Sequence, residues 1–206
     1  MSTTTYRRLV GLPGAILAAV LAAALLAGCG PGKPSFKSVD VTGADFGREL
    51  KLTDHTGKPR ALTDFQGKVV VVFFGFTQCP DVCPTTLVEM KAVKEKLGKD
   101  GERVQVLFVT VDPERDTPEL LAKYVPAFDP TFLGLYGDAE ATARTAKEFK
   151  VFYKKVPGSS PTNYSVDHTA ALYIYDPTGR LRLFAKHAQG ADALAHDIKL
   201  LLEQAR

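Results

Sequence analysis

The sequence predicts a single α/β domain built on a mixed β-sheet flanked by helices. Val69 to Phe74 is apolar throughout and rich in β-branched residues, and Val104 to Val111 is nearly so. Short runs of this kind read as strands covered on both faces, as in the centre of a parallel sheet. Segments with helical apolar spacing follow each run, and that alternation marks a layered α/β fold. Two later runs, Ala170 to Tyr175 and Leu181 to Ala185, flank Asp176-Pro177-Thr178-Gly179. That is a hairpin, whose antiparallel strands make the sheet mixed.

The other elements follow in order. Leu50 to Gly57 reads as a strand and turn, with Arg60 to Thr63 as its partner. Residues 84 to 97 place Leu87, Met90, Val93 and Leu97 at helical spacing, and Gly98 stops the helix. Asp112 to Pro118 is turn-rich, with Thr117 as N-cap and Pro118 in the first helical position. Leu120 to Phe128 is expected to be helical, Thr131 to Tyr136 a strand, and Glu140 to Phe149 a helix. Residues 154 to 165, KKVPGSSPTNYS, are polar and rich in Gly, Pro and Ser, and read as a loop. A last helix is expected from Ala191 to Gln204. The chain holds no GxGxxG or GxxxxGK[ST] cradle, so the usual nucleotide sites are absent.

The first 28 residues carry a separate signal. Arg7 and Arg8 precede an apolar run from Leu12 to Ala27, which ends in small residues before Cys29. A basic start, a short apolar stretch and small residues mark an export leader. The run is shorter than the roughly 20 residues of a bilayer-spanning helix. The small-small-Cys ending resembles a bacterial lipobox, which makes Cys29 the lipidated first residue of the mature chain. The expected organisation is therefore a leader over 1–28, a lipidated N-terminus and flexible tether over 29–44, and one folded domain over 45–206. The two leader arginines account for most of the formal net charge of +3. The remainder is near neutral, without a basic block, and no nucleic-acid partner is expected. The protein is expected outside the cytosol, held to a membrane by lipid and facing the periplasm or cell exterior.

Of three cysteines, only Cys79 and Cys83 remain once Cys29 is acylated. Two thiols make no disulfide framework in a domain this long. Each precedes a proline, Pro80 and Pro84. A residue before proline avoids the α region, so Cys83 is expected as N-cap with Pro84 opening the helix. Both sulfurs then lie between the end of a central strand and a helix N-terminus, where the dipole lowers a thiol pKa. A structural disulfide closing so short a loop would stabilise little. Chemistry is the better reading, as a metal clip or a redox pair.

A metal clip needs a third ligand. His55, His187 and His196 read as surface residues. His168 precedes the strand at Ala170, where an antiparallel strand begins beside the carboxyl ends of its parallel neighbours. Spacing alone leaves it open between a ligand and a loop histidine, with Asp167 as a candidate to orient the ring. Asp81 reads as helix-start charge rather than an outer ligand, and Asp112 and Asp116 as a capped turn rather than groups behind the site. Phe73, Phe74 and Phe76 read as core and site wall.

Three separated segments, FGFTQCPDVCPTTL (74–87), VDPERDTP (111–118) and YSVDHTAALY (164–173), resemble the signature of the Sco/SenC family. The resemblance runs from about residue 45 to the end. It implies a thioredoxin-like fold and a copper site made by Cys79, Cys83 and His168. It further implies a metallochaperone that delivers copper to, or prepares, the dinuclear copper site of cytochrome c oxidase. The partners would be the copper-accepting oxidase subunit and other periplasmic copper chaperones or thiol oxidoreductases. Soft thiolates select Cu(I), and imidazole suits both copper states. Zinc also accepts such donors. The alternative is a thiol–disulfide oxidoreductase with Cys79 and Cys83 as its redox pair, since fold does not decide function. Three residues between the cysteines, rather than two, favour the metal reading. A peroxiredoxin is disfavoured, because neither cysteine has the Pro and Thr positions that family places before its reactive cysteine.

Overall fold

The computed structural model describes residues 35–160 and 163–205. The expected leader and Cys29 lie outside them. Among the described residues the strands are β1 (Val39–Asp40), β2 (Lys51–Asp54), β3 (Pro59–Ala61), β4 (Val69–Gly75), β5 (Val104–Thr110), β6 (Leu133–Tyr136), β7 (Tyr153–Ser160), β8 (Asn163–His168), β9 (Ala171–Tyr175) and β10 (Leu181–Lys186). The α-helices among them are α1 (Val82–Leu97), α2 (Pro118–Tyr124), α3 (Ala139–Glu148) and α4 (Ala191–Glu203). Among the described residues no helix is long and apolar enough to cross a membrane.

Eight strands form one sheet in the order β1-β10-β9-β4-β5-β6-β2-β3. β4, β5 and β6 are parallel, while β9 runs antiparallel to β4 and β10 to β9. The unbroken apolar runs follow from this position. Side chains alternate across a strand. Val69, Val71 and Phe73 therefore pack on one face with Leu87 and Met90 of α1 and Ile198 of α4. Val70, Val72 and Phe74 pack on the other face with Ala146 of α3, Phe149 and Phe65. With no solvent face, β4 and β5 have no place for a charged residue. Each fully buried Phe or Val contributes about 1.5–3 kcal/mol.

Three expectations need correction. Residues 36–40, expected within the tether, belong to the folded unit. Val39 and Asp40 pair with Phe184 and Leu183, and Asp197 accepts from the backbone N–H groups of Lys37 (2.8 Å) and Ser38 (2.7 Å). The expected loop over 154–165 is a hairpin, β7 paired antiparallel with β8. Its residues are mostly exposed and polar, so no apolar alternation announced it. Pro157 sits where the register shifts, a place that tolerates a missing N–H. The helix expected to Phe128 stops at Tyr124. Pro126 has no N–H to continue the ladder. Thr117 caps α2 as expected, its hydroxyl accepting from the N–H of Leu120 with Pro118 at the first turn.

The topology brings the two halves of the site together. Phe73 lies opposite Leu172 in the antiparallel β4–β9 register. Residues that follow β4, which include Cys79, therefore emerge beside those that precede β9, which include His168. This is the carboxyl end of the parallel strands, where open α/β sheets place their ligands.

Candidate metal centre

The chain leaves β4 at Gly75 and turns at once, the N–H of Cys79 donating to the carbonyl of Phe76. α1 begins at Val82, so Cys83 is not the N-cap. It lies inside the first turn, and Pro84 is the third helical residue. The third N–H of a helix has no partner within it, so proline costs nothing there. Asp81 stands at the cap position without a side-chain cap bond; its carboxylate accepts from the Thr85 hydroxyl at 3.2 Å. The N–H of Cys83 instead donates to Sγ of Cys79 at 3.5 Å. The Cys79 sulfur thus occupies the place of a capping acceptor at the positive end of α1.

Cys83 is wholly buried and Cys79 half-buried, and both are free thiols. Burial pushes the Cys83 thiol well above its ordinary range, and the neighbouring Cys79 adds to it. The lowering expected from the helix N-terminus is therefore outweighed at this sulfur, because a charge loses more by leaving water than the dipole returns.

His168 ends β8 with Nε2 3.7 Å from Cys83 Sγ and Nδ1 3.2 Å from the carbonyl of Thr169. A carbonyl only accepts, so Nδ1 carries the proton and the Nε2 lone pair faces the sulfur. Thr169 therefore orients the ring, and Asp167 does not. Burial lowers the His168 pKa, which keeps the imidazole neutral at neutral pH. The edges of Phe73 and Phe76 flank the ring at 6.2 and 6.0 Å between centroids. These phenylalanines are the site wall that the sequence suggested.

Sγ of Cys79, Sγ of Cys83 and a ring nitrogen of His168 lie within 4.8 Å of one another. The spacing suits one small ion. Metal–sulfur and metal–nitrogen bonds of about 2.3 and 2.0 Å place the two donors about 3.5–3.7 Å apart in tetrahedral or trigonal arrangements. The observed gap is 3.7 Å. Two sulfurs and one imidazole form a soft donor set.

The other histidines stand apart from this cluster. Nδ1 of His55 accepts from the N–H of Gly134 at 3.0 Å, so this turn residue helps fix β6. Nδ1 of His187 lies 3.0 Å from the Thr86 hydroxyl, and Nδ1 of His196 lies 3.0 Å from Asp197. Asp116 does more than cap a turn. It is buried and accepts from the N–H (3.0 Å) and hydroxyl (2.5 Å) of Thr77 and from the hydroxyl of Thr110 (2.6 Å). It thereby ties the cysteine loop to the end of β5. Burial raises its pKa despite these donors. Gly75 is a site residue that sequence reasoning missed: a Cβ there would lie 2.7 Å from Cys83 Sγ. Its only signal was a glycine between two phenylalanines just before the cysteines.

A family model described as SCO1/SenC matches residues 39–203. The mouse protein named SCO2 homolog, mitochondrial, is 37% identical over 153 residues, covering 73% of this chain and 60% of that protein. The chain thus spans about 60% of the length of that mitochondrial relative. A SCO2-like protein of Rickettsia felis is 35% identical over 160 residues, 76% of this chain and 77% of that protein. Among solved structures, apo Sco1 of Thermus thermophilus superimposes with a TM-score of 0.73 at 43% identity, covering 82% of this chain and 99% of that one. ScoI of Bradyrhizobium japonicum, solved with copper bound, gives a TM-score of 0.69 at 39% identity, covering 77% and 99%. The mixed sheet flanked by helices is the thioredoxin-like fold of these structures. With the family model matched from the first strand to the last helix, the chain belongs to the SCO1/SenC family.

Proposed function

We propose that the protein carries copper on Cys79, Cys83 and His168 as a metallochaperone. In this reading it delivers the ion to, or prepares, the dinuclear copper site of cytochrome c oxidase. The observation that carries the proposal is the convergence of two thiols and a neutral imidazole nitrogen within 4.8 Å at the carboxyl end of the sheet. Solved relatives of similar sequence hold copper, which supports this ion over zinc. Copper is cargo here. The chain's part is to hold an oriented lone pair on His168, to surrender thiol protons when the ion binds, and to leave Cys79 half-exposed toward an incoming ligand. Cys29 would carry the lipid anchor of an exported protein, and the copper-accepting oxidase subunit would be the client.

An anaerobic Cu(I) titration of the reduced protein tests the ligand set. One tight equivalent is expected, weakened about 10-fold or more in His168→Ala, the scale on which metal sites respond to lost support. Equal affinity in both proteins would remove His168 from the site. Cells lacking the protein would show an oxidase deficient in its dinuclear copper centre; normal copper loading there would exclude the client.

One observation favours a second reading. Cys79 is half-buried and Cys83 wholly buried, with sulfurs within bonding reach after a small movement. A half-exposed attacking thiol backed by a buried resolving one suits a thiol–disulfide oxidoreductase. The Cys79 thiolate would attack a partner disulfide and release one partner thiol; Cys83 would then displace the second. Two electrons and two protons pass to the partner, leaving the Cys79–Cys83 disulfide. Reduction of a model disulfide that survives His168→Ala but not Cys83→Ser would favour this activity.

A further inference from the structure

The hairpin that carries His168 forms its own two-stranded sheet, apart from the eight-stranded one. Its base is held by the short link from His168 to β9 at Ala171, while its position over the cysteine loop is also fixed by side chains. Arg115, in the loop between β5 and α2, makes the connection. Its Nε donates to Oδ2 of Asp112 at 2.5 Å. Its Nη1 donates to Oε1 of Gln78, beside Cys79, at 3.1 Å and to the carbonyl of Tyr164 at 2.8 Å. The guanidinium lies over the Tyr164 ring, 3.5 Å from its centroid. The Tyr164 hydroxyl donates to the other oxygen of Asp112 at 2.7 Å. One buried carboxylate thus holds both the arginine and the tyrosine, and the arginine reaches both segments that supply ligands.

Strand geometry carries this hold to the ligand. Tyr164, Val166 and His168 share one face of β8, because side chains repeat every second residue. Val166 is buried and Tyr164 packs against the core. Fixing Tyr164 therefore fixes where His168 stands over Cys83. A lysine cannot substitute, since it offers neither a planar face nor a fork of donors.

We propose that Arg115 is a positioning residue for the metal site: with Asp112 it clamps Tyr164 and so places Nε2 of His168 over Cys83. The clamp rests on the three-ligand reading above, and one readout below is independent of metal. Removing Arg115 alone strands a buried carboxylate, so the test uses Arg115→Gln/Asp112→Asn, which removes both charges. Cu(I) affinity is expected to fall about 10-fold or more. The same double substitution in a His168→Ala background is expected to change affinity little. Arg115→Lys is expected to be weakened like Arg115→Gln/Asp112→Asn. In the metal-free protein, 15N shifts of the His168 ring are expected to change from one fixed tautomer, protonated at Nδ1, to the average of a mobile ring.

An equal loss of affinity with and without His168 would overturn the clamp, because the effect would then run through the cysteine loop. Full affinity in Arg115→Lys would overturn it in favour of charge alone. An unchanged ring spectrum would overturn it whatever the affinities. If His168→Ala alone leaves affinity intact, the three-ligand reading fails, and the ring spectrum still decides the clamp.

Discussion

Gly75 shows how a residue without a side chain shapes the candidate metal centre. A methyl group there would lie 2.7 Å from Sγ of Cys83 and 2.7 Å from Cε2 of Phe108. Both neighbours are buried and held by packing, so neither can yield cheaply. Gly75→Ala is expected to destabilise the protein by about 1–3 kcal/mol, the usual cost of overpacking. It should also weaken Cu(I) binding by displacing Cys83. Denaturant midpoints and copper titrations would check both; an unperturbed variant would mean that Cys83 is free to move. At this scale the sequence marked Cys79 and Cys83 as spaced for chemistry, while spacing left His168 open and the family resemblance made it the third candidate. It misplaced Cys83 in the helix. The rule that a residue before proline avoids the α region is a local preference, and packing of the Cys83 side chain into the core overrides it.

Among the elements, the N-terminal segment and the hairpin were the least legible. The segment from Phe36 to Asp40 carries no pattern of its own, and its structure is imposed by Asp197 of α4. Asp197→Ala leaves the N–H groups of Lys37 and Ser38 without their acceptor. The expected cost is about 1–3 kcal/mol, the penalty for an unsatisfied buried donor. Hydrogen exchange at Ser38 should accelerate well beyond that at Val71. Equal protection in the variant would show that the β1–β10 pairing alone holds the segment. The hairpin β7–β8 was unreadable for a related reason. Its partners are Arg115, Asp112 and the core beneath Val166, all distant in sequence, so local composition described only its solvent side.

For the whole molecule, buried carboxylates set the response to acid. Asp54 ends β2 and has no exposed side-chain surface. Burial alone would raise its pKa. Donors from Thr56, Arg60 and Lys58 outweigh burial and hold it at about 2, against an ordinary value of 3.8. The ionised form therefore favours the folded state. That contribution is complete above pH 3.8 and is lost as pH falls through about 2. It amounts to about 2 kcal/mol at neutral pH. Asp129, Asp176 and Asp197 are shifted in the same direction, burial being outweighed by their donors in each case. Asp116 opposes them, since its raised pKa makes ionisation costly in the fold. Urea unfolding between pH 5 and 2 should show stability falling with acid, with a smaller fall in Asp54→Asn. An identical pH dependence in that variant would remove Asp54 from the account.

The sequence alone determined the layered fold, the order of its central elements and the cysteine pair as a place for chemistry. These rest on patterns that each segment carries within itself: apolar periodicity, turn residues and paired cysteines. His168 was left open by spacing and entered as a candidate ligand only through the family resemblance. Tertiary structure alone decided how the candidate ligands meet. It set the Nε2 lone pair of His168 at Cys83, made the Cys83 thiol hard to ionise, and converted a polar stretch into the hairpin that carries the histidine. Each of these depends on burial and on partners far away in the chain. Desolvation and long-range hydrogen bonds have no local signature, because they exist only once the chain has closed on itself.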